Sequence, residues 1–486
     1  MDHIQDAVSK RRSWPRRLLN RMEVDRATFY ALVLRFWQLP AGMVTTLLIV
    51  FFFSPEVQGY YYTILGLLAL QTVAELGQQF VIASVAGHEW ADLSINSQGS
   101  ADGDRHALGR LAALSRIVSR WSALAALLFV PAVGGIGVIF FSLSQGSQER
   151  DISWRGPWYC LVMLCGLSLW LAPRLALLEG CGQTRSVHKV RLAQAVLSNL
   201  LVWTCIPLGA GLWAPVFAAV VKALGELALI KLAYGPFFRS LRQTAPSKEF
   251  DWSGEVWPLQ WRAAVQSLFA YGAWQLFTPV MFHYHGAVIA GQMGLVWNVL
   301  CVLQNAAMSW METRVWLFSQ YVSKRSYRAL DDVFVRLTLI STAALAAIVA
   351  GFCGAVYFLA WWDHPWAEKI SGRLLLPETT AWLGVAVVLF HVPRCQTVFI
   401  RVHKRDPLFA LASLGNAAVG LCVWQLGARF GPEGAAWGYL AVRGAFNVPV
   451  WTWVCFHFRR QWRQKFPEAD RNAGERDGLG GLPTEL

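Results

Sequence analysis

The sequence predicts an all-α, polytopic membrane protein with about twelve transmembrane helices in two six-helix lobes related by internal duplication. Of its 486 residues, 55% are hydrophobic and only 15% are charged, which is too apolar a balance for a water-soluble globule. The apolar residues gather in stretches of roughly 20 or more, the length that crosses a ~30 Å hydrocarbon core as a helix. The strands of a membrane barrel are shorter and alternate in polarity. A helical bundle is therefore expected, since helices satisfy their own backbone hydrogen bonds in lipid.

Hydropathy divides the chain into five segments. A basic cytoplasmic segment (1–28) precedes an N-lobe (29–236), a cytoplasmic linker (237–256), a C-lobe (257–457) and a polar tail (458–486) that is expected to be disordered. The first apolar stretch is expected to be a span and not a cleaved signal, because no small-x-small site ends it. The predicted spans are 29–53, 59–87, 121–143, 157–179, 191–209, 212–235, 258–282, 286–312, 333–360, 376–400, 407–427 and 433–457.

The lysines and arginines predict the orientation of these spans. Thirty-three of the 43 lie in the N-terminal segment, in or beside alternate loops, and in the C-terminal tail. Such a bias predicts that both termini are cytoplasmic, in the inner (cytoplasmic) membrane. The net charge of +13 is explained by this distribution, so no nucleic-acid partner is expected. The opposite loops hold only Arg150, Arg155, Lys369, Arg373 and Arg429.

Residues recur at similar spacing in the two halves, which predicts the duplication. Six spans per half is an even number, so both halves would share one orientation, as in transporters built from parallel repeats. The matching pairs are Arg35 with Arg262, Gly59 with Gly286, Pro173-Arg174 with Pro393-Arg394, Asn199 and Cys205 with Asn416 and Cys422, and Lys222 with Arg443.

Cationic side chains inside the predicted spans are the main candidate site residues, because each costs roughly 2.5–3.5 kcal/mol even on insertion scales. One interpretation is a cationic cavity that binds an anionic group such as phosphate, for which the planar guanidinium is well suited. The other is snorkelling or structural pairing, and Glu226, one turn from Lys222, would serve as such a partner. The candidates are Arg174, Arg394, Lys222 and Arg443, with Arg35 and Arg262 nearer the cytoplasmic ends.

Two carboxylates are candidates for ion coupling. Glu75 in the second span either carries a proton or sodium ion or pairs with one of the arginines, and Glu226 is the second candidate. No metal site is expected, because His283 and His285 lie in a short turn without a Cys or carboxylate cluster. No cofactor is expected either, since the chain lacks a phosphate-binding Gly-x-x-x-x-Gly-Lys-Ser/Thr loop. The nine cysteines lie in or beside apolar segments, and a disulfide framework is not expected.

Three stretches resemble segments of bacterial polysaccharide-export proteins. They are SPEVQGYYYTILGLLALQTVAELG (54–77), PLQWRAAVQSLFAYGAWQLFTPVMFHYHGAVIAGQMG (258–294) and FIRVHKRDPL (399–408). On these, the chain is similar to the O-antigen-type flippases of the multidrug/oligosaccharidyl-lipid/polysaccharide exporter superfamily. The resemblance implies a bundle of twelve or fourteen helices in two lobes. It also implies that cavity arginines bind a lipid pyrophosphate, although the arginines here do not match that family's one by one.

These observations predict a transporter and not an enzyme. The expected substrate is an anionic lipid-linked saccharide, moved to the outer leaflet by alternating access, with possible H⁺ or Na⁺ coupling and possibly other polysaccharide-assembly proteins as partners. A drug/cation antiporter of the same superfamily is one alternative, although such a cavity should be acidic. A membrane-embedded transferase acting on polyprenyl-linked saccharides, or a non-transporting scaffold, are the others.

Overall fold

The computed structural model describes residues 26–75, 77–144, 152–247, 251–403 and 408–465. Nearly all of these residues are helical, which confirms the predicted all-α class. The strands of the described part form a single antiparallel hairpin, Leu93–Ile95 (β1) with Ala101–Gly103 (β2). Most of the predicted basic segment and the end of the polar tail, from residue 466, lie outside the described residues.

The helices are given in chain order. The first nine are α1 (Arg26–Phe52), α2 (Pro55–Leu68), α3 (Leu70–Ala74), α4 (Gln78–Glu89), α5 (Arg105–Ser144), α6 (Arg155–Leu178), α7 (Thr184–Cys205), α8 (Ala214–Ala228) and α9 (Gly235–Gln243). The others are α10 (Trp252–Glu255), α11 (Trp257–Gln275), α12 (Phe277–Glu312), α13 (Val315–Ser323), α14 (Tyr327–Trp361), α15 (Pro365–Ser371), α16 (Pro377–Arg401), α17 (Phe409–Val442) and α18 (Val448–Lys465). Short 3₁₀ turns occur at Trp90–Asp92 and Gly211–Trp213, and π-helical turns at Glu179–Gln183, Leu229–Ala233 and Arg443–Asn447.

Seven helical stretches of the described chain are long and apolar enough to cross a membrane. Three of them, of 51, 64 and 54 residues, are more than twice the length of one crossing. Each contains a glycine with positive φ that breaks the helix: Gly182 (φ 74°), Gly286 (φ 85°) and Gly431 (φ 65°). These breaks fall at or beside the turns predicted from hydropathy. The number of twelve spans stays a prediction.

Two compact units make up the chain. Unit 1 comprises Met1–Phe53, Leu70–Ile139 and Ser153–Ala264, and unit 2 comprises Ser54–Ala69, Phe140–Ile152 and Val265–Leu486. The predicted lobes are continuous in sequence, whereas the units exchange two segments, 54–69 and 140–152. The predicted duplication stays a prediction.

Unit 1 is built on α6, which packs on α4 and α8, while α7 packs on α1 and α8. A cluster of buried side chains beneath the hairpin and α9 includes Leu111, Leu178 and Phe237. α9 buries Phe237, Phe238 and Leu241 on one face. Its arginines are on the other face, so this short helix is fixed by apolar burial and presents its charges outward.

Unit 2 is organised around α12, on which α2, α14, α16 and α17 pack. α2 approaches α12 so closely that a Cβ at Gly59 would clash with the Ala287 backbone. Gln58 of α2 donates to the Gly291 carbonyl at 2.8 Å. Outer faces of α14 expose large apolar side chains such as Leu339 and Ile348, as expected where lipid covers a helix.

Local structure differs from the sequence predictions in three places. The second span is not one helix, because the chain leaves α3 after Ala74 and re-enters the helical conformation at Gln78, after Gly77 (φ 64°). The loop predicted near 89–118 contains the hairpin and the first turns of α5, which runs 40 residues without a break. The loop predicted near 315–332 contains α13 and the start of α14. Hydropathy detects apolar length but not helices that continue into polar sequence.

Candidate functional site

Arg443 is the most deeply buried cation of unit 2. It begins the π-helical turn Arg443–Asn447 after α17, and it is 0% exposed. The Phe390 ring lies 3.7 Å from its guanidinium carbon, and the Tyr439 ring lies at 5.1 Å. Aromatic faces attract a guanidinium, but they do not neutralise its charge.

The hydrogen bonds of Arg443 leave part of the guanidinium unsatisfied. Nη1 donates to Oδ1 of Asn416 (3.2 Å) and of Asn447 (3.3 Å). The Tyr439 hydroxyl approaches the same group, yet neither it nor Nε and Nη2 completes a hydrogen bond. Buried polar groups are nearly always paired. The two free nitrogens therefore mark a place where an anion or ordered water can bind.

Arg394 of α16 lies beside Arg443 around one indole ring. Each guanidinium carbon is 5.8 Å from the centre of the Trp274 ring. Arg394 Nη1 donates to Asn305 Oδ1 at 3.1 Å, and the charge of Glu312 acts on Arg394. No described carboxylate acts on Arg443, whose charged neighbour is Arg394. We call Arg394, Arg443 and Trp274 the arginine pair site.

The π-helical turn is what places Asn447 against Arg443. Turns of this kind add one residue to a helical turn and occur often at functional sites. Asn447 is 1% exposed. A Cβ at Gly415 of α17 would lie 2.7 Å from Asn447 Nδ2, so only glycine leaves room for this amide.

Glu75 lies in unit 1, at the break between α3 and α4. Its two carboxylate oxygens accept hydrogen bonds from Gln71 Nε2 and Gln79 Nε2, each at 2.9 Å. Neither interaction is an ion pair, so two neutral amides hold the carboxylate in place. The sequence offered pairing with an arginine as one interpretation, and the printed partners are glutamines instead.

Glu226 of α8 is the second carboxylate of this region. It is 6% exposed, and its Oε2 has no hydrogen-bond partner. The charges of Lys222, Arg191 and Glu75 all act on it, and Ser168 donates to it. The structure thus brings the two candidate coupling residues near each other in unit 1, with the exposed Lys222 beside Glu226.

The remaining predicted cations occupy other settings. Arg174 is 9% exposed near the end of α6, where its guanidinium lies 4.0 Å from the Trp170 ring. Its neighbours are arginines of unit 1 and not the arginine pair site. Arg35 and Arg262 are exposed, and Arg262 lies 5.7 Å from the Trp261 ring.

Sequence reasoning found the arginines of unit 2 but missed what surrounds them. Trp274 was one of 25 tryptophans, and nothing in its local sequence distinguishes it. Asn447 lies four residues after Arg443, a spacing that places two side chains on one helical face. That spacing was the available signal.

Histidines near the break at Gly286 form ordinary hydrogen bonds. His283 Nδ1 lies 2.8 Å from Ser144 Oγ, and His285 Nε2 lies 2.7 Å from the Gly427 carbonyl oxygen. The described residues contain no group of three or more metal-ligating side chains, and their nine cysteines are all free thiols.

Comparison with solved structures identifies the fold. An inward-facing multidrug resistance transporter of the MATE family, in the MOP superfamily, superposes with a TM-score of 0.65 over 89% of this chain and 99% of that chain, at 13% identity. The lipid II flippase MurJ superposes with a TM-score of 0.57 over 88% and 87%, at 10% identity. The chain has the fold of these transporters. No family model matches the sequence, and no curated protein matches it.

A third similar structure is a MOP superfamily transporter from Pyrococcus furiosus. It superposes with a TM-score of 0.53 over 90% of this chain and 94% of that chain, at 15% identity, and is described as having a binding pocket of reverse polarity. At these identities the likeness concerns the fold alone. The charges of this chain's own residues must therefore indicate its substrate.

Proposed function

We propose that the chain is a secondary transporter that moves an anionic lipid-linked oligosaccharide or polysaccharide precursor across the cytoplasmic membrane. It would act as a flippase in the synthesis of cell-surface polysaccharide such as lipopolysaccharide O-antigen, with no cofactor and no catalytic step. Both termini would be cytoplasmic, and other polysaccharide-assembly proteins would be its partners.

The observation that carries this proposal is the unpaired charge of Arg443. A fully buried guanidinium with two free nitrogens and no described carboxylate acting on it is costly. A phosphate or pyrophosphate group of the substrate would neutralise it and accept its free N–H groups. Arg394 would contact the same group from across Trp274. Arg174, Lys222, Arg35 and Arg262 remain predicted cationic residues of the cavity, and the proposal does not depend on them.

Energy for transport would come from gradients across the membrane. A potential of 100 mV contributes roughly 2.3 kcal/mol per charge, and an inside-negative potential favours outward movement of an anion. Glu75 and Glu226 would bind a coupling proton or sodium ion, since a carboxylate such as Glu226, with a free oxygen in a buried setting, can exchange a cation.

A drug/cation antiporter is the second candidate. The observation in its favour is the same carboxylate, Glu226, which is 6% exposed with an unpaired Oε2. A buried acidic group attracts cationic drugs, so in this case the chain would move such molecules past unit 1. The two candidates differ in which residue the substrate needs.

Transport in proteoliposomes separates them. Full-length protein is assayed with a short-chain polyprenyl-pyrophosphate saccharide and, separately, with a cationic dye, under an imposed potential or pH gradient and without ATP. We expect movement of the saccharide, with a loss of about tenfold or more in Arg394→Gln and Arg443→Gln, since each removes charge-assisted hydrogen bonds to the substrate.

Arg336→Gln is the matched control, because Arg336 of α14 is an exposed arginine of unit 2 outside the arginine pair site. It should transport at the rate of the wild-type protein. Dye movement that survives both arginine substitutions and is lost in Glu226→Gln would instead establish the antiporter. Full saccharide transport by well-folded Arg443→Gln would contradict the proposed site.

A further inference from the structure

A separate cluster of arginines lines a cleft in unit 1. Four arginines from three helices face it: Arg116 and Arg120 of α5, Arg174 of α6, and Arg242 of α9, together with Ser115, Ser119, Phe238 and Leu241. The cleft has a volume of about 190 Å³. Because pockets for drug-sized ligands measure about 300–1,000 Å³, this one suits a small group with a few waters.

Only one of the four charges is compensated by the protein. Arg116 Nη2 donates to the carbonyl oxygens of Arg242 (2.7 Å) and Thr244 (2.6 Å), the electronegative end of α9. Arg174 Nη1 donates to the Trp170 carbonyl at 2.8 Å, and the like charge of Arg242 acts on it. Within the described chain, none of the four arginines forms an ion pair, and no carboxylate lines the cleft.

The arginines are held in position before any ligand arrives. Arg174 is 9% exposed and lies over the Trp170 ring at 4.0 Å, so its rotamer is fixed. The two bonds of Arg116 tie the end of α9 to α5, which sets the distance between Arg242 and Arg120. Neither Ser115 nor Ser119 uses its hydroxyl within the described chain, so two further donors face the same space.

We propose that this cleft binds a phosphate or pyrophosphate group. Guanidinium groups converging from three helices, two hydroxyl donors and no acidic residue match the chemistry of a polyanion with several acceptor oxygens. The cleft lies among loops that the positive-inside rule predicts to be cytoplasmic, where basic pockets between helices bind lipid headgroups. A headgroup in the membrane and a soluble phosphate are the two sources of this chemistry.

Binding to the purified, full-length protein tests the proposal without any transport. Inorganic pyrophosphate is titrated calorimetrically in detergent. In parallel, nanodiscs with and without phosphatidylglycerol are analysed for lipid retained after extraction. The test variant is Arg120→Gln with Arg242→Gln, because both side chains are exposed and their loss leaves the apolar core intact.

The matched control is Arg105→Gln with Arg239→Gln. It removes the same charge from the same two helices, α5 and α9, at exposed positions that do not line the cleft. We expect the test variant to bind pyrophosphate about tenfold more weakly than the control, and wild-type binding to weaken with added salt.

The outcomes separate the two sources. Phosphatidylglycerol retained by the wild-type protein, displaced by pyrophosphate and lost in the test variant would assign the cleft to a lipid headgroup. Weakened pyrophosphate binding with unchanged lipid retention would assign it to a soluble phosphate. Equal binding of both probes by the test variant and the control would overturn the proposal, and it would leave the proposed transport function untouched.

Discussion

Arg443 combines complete burial with incomplete pairing, and these two properties make different demands on a replacement. A structural arginine would be needed for stability, because its hydrogen bonds hold the two asparagines of α17 and the π-helical turn. A substrate-binding arginine is a cost to the unliganded protein, since a buried charge without a counter-ion is unfavourable. Substitution by an apolar side chain of similar length distinguishes these roles.

Arg443→Met is expected to leave the unliganded protein equally stable or more stable. Replacing buried ionic groups by apolar ones is often neutral or stabilising by about 1–4 kcal/mol. The same change should abolish saccharide transport, whereas Arg443→Lys should retain part of it, because an ammonium keeps the charge but not the planar fork. Thermal unfolding in detergent and the proteoliposome assay measure the two effects. A large loss of stability in Arg443→Met would indicate a structural arginine.

At the scale of the element, close approach between α17 and the π-helical turn depends on one glycine. Gly415→Ala places a methyl group 2.7 Å from Asn447 Nδ2 and 3.2 Å from the Phe446 ring. Overpacking of this kind costs about 1–3 kcal/mol, and it displaces the amide that orients Arg443. We expect a lower unfolding temperature together with reduced transport.

Gly351→Ala provides the comparison. Gly351 lies within α14, and nothing is within 4 Å of a Cβ placed there. Alanine in an open helical position should raise stability by up to about 1 kcal/mol. If both alanine variants behave alike in thermal unfolding and transport, the contact between Gly415 and Asn447 has no importance.

The turn after α16 contains a histidine whose protonation is coupled to folding. His403 stacks on Trp462 with ring centres 3.5 Å apart, and its Nδ1 lies 3.1 Å from the Phe399 carbonyl oxygen. Burial lowers the pKa of His403, while the Phe399 carbonyl and Asp331 oppose this shift. The unfolded chain therefore binds the proton more readily than the folded one.

Stability from the neutral His403 should be fully present above its unfolded pKa of about 6.5 and be lost progressively as the pH falls below that value. Unfolding temperatures measured between pH 7.5 and 5 should decline in the wild-type protein and decline less in His403→Phe, which keeps the stacking without a titrating group. Identical slopes would show that His403 does not contribute.

For the whole molecule, the orientation in the membrane is a prediction that the chain itself can test. Ser371 ends α15 in a loop predicted to be external, and Ser247 follows α9 in a loop predicted to be cytoplasmic. In a background without the nine native cysteines, an impermeant thiol reagent added outside should label Ser371→Cys and not Ser247→Cys. The reverse pattern would mean that the positive-inside rule fails for this protein.

The sequence predicted the class of fold well and the architecture less well. Apolar length identified the helices, and turns were placed near Gly182, Gly286 and Gly431 because polar or small residues interrupt the apolar stretches there. The exchange of residues 54–69 into unit 2 escaped prediction. It depends on the close contact of Gly59 with Ala287, a long-range contact that a local pattern does not encode.

The same limit applies to the sites. Buried cations stand out in apolar sequence, so Arg394 and Arg443 were found. Arg116, Arg120 and Arg242 were counted as ordinary loop charges, because their convergence on one cleft arises only when α5, α6 and α9 pack together. Glu75 was recognised as unusual, whereas the helix break beside it was not.

That break has a consequence for the rate at which backbone amides exchange with solvent. Between Ala74 and Gln78 the regular ladder of helical hydrogen bonds is interrupted, although Gln78 N still donates to the Glu75 carbonyl at 2.9 Å. Amides near such interruptions open at low free energy, so deuterium should enter here sooner than in the uninterrupted middle of α5. A cation bound at Glu75 would slow that entry, and mass spectrometry of exchanged peptides with and without sodium would then report occupancy of the coupling residue directly.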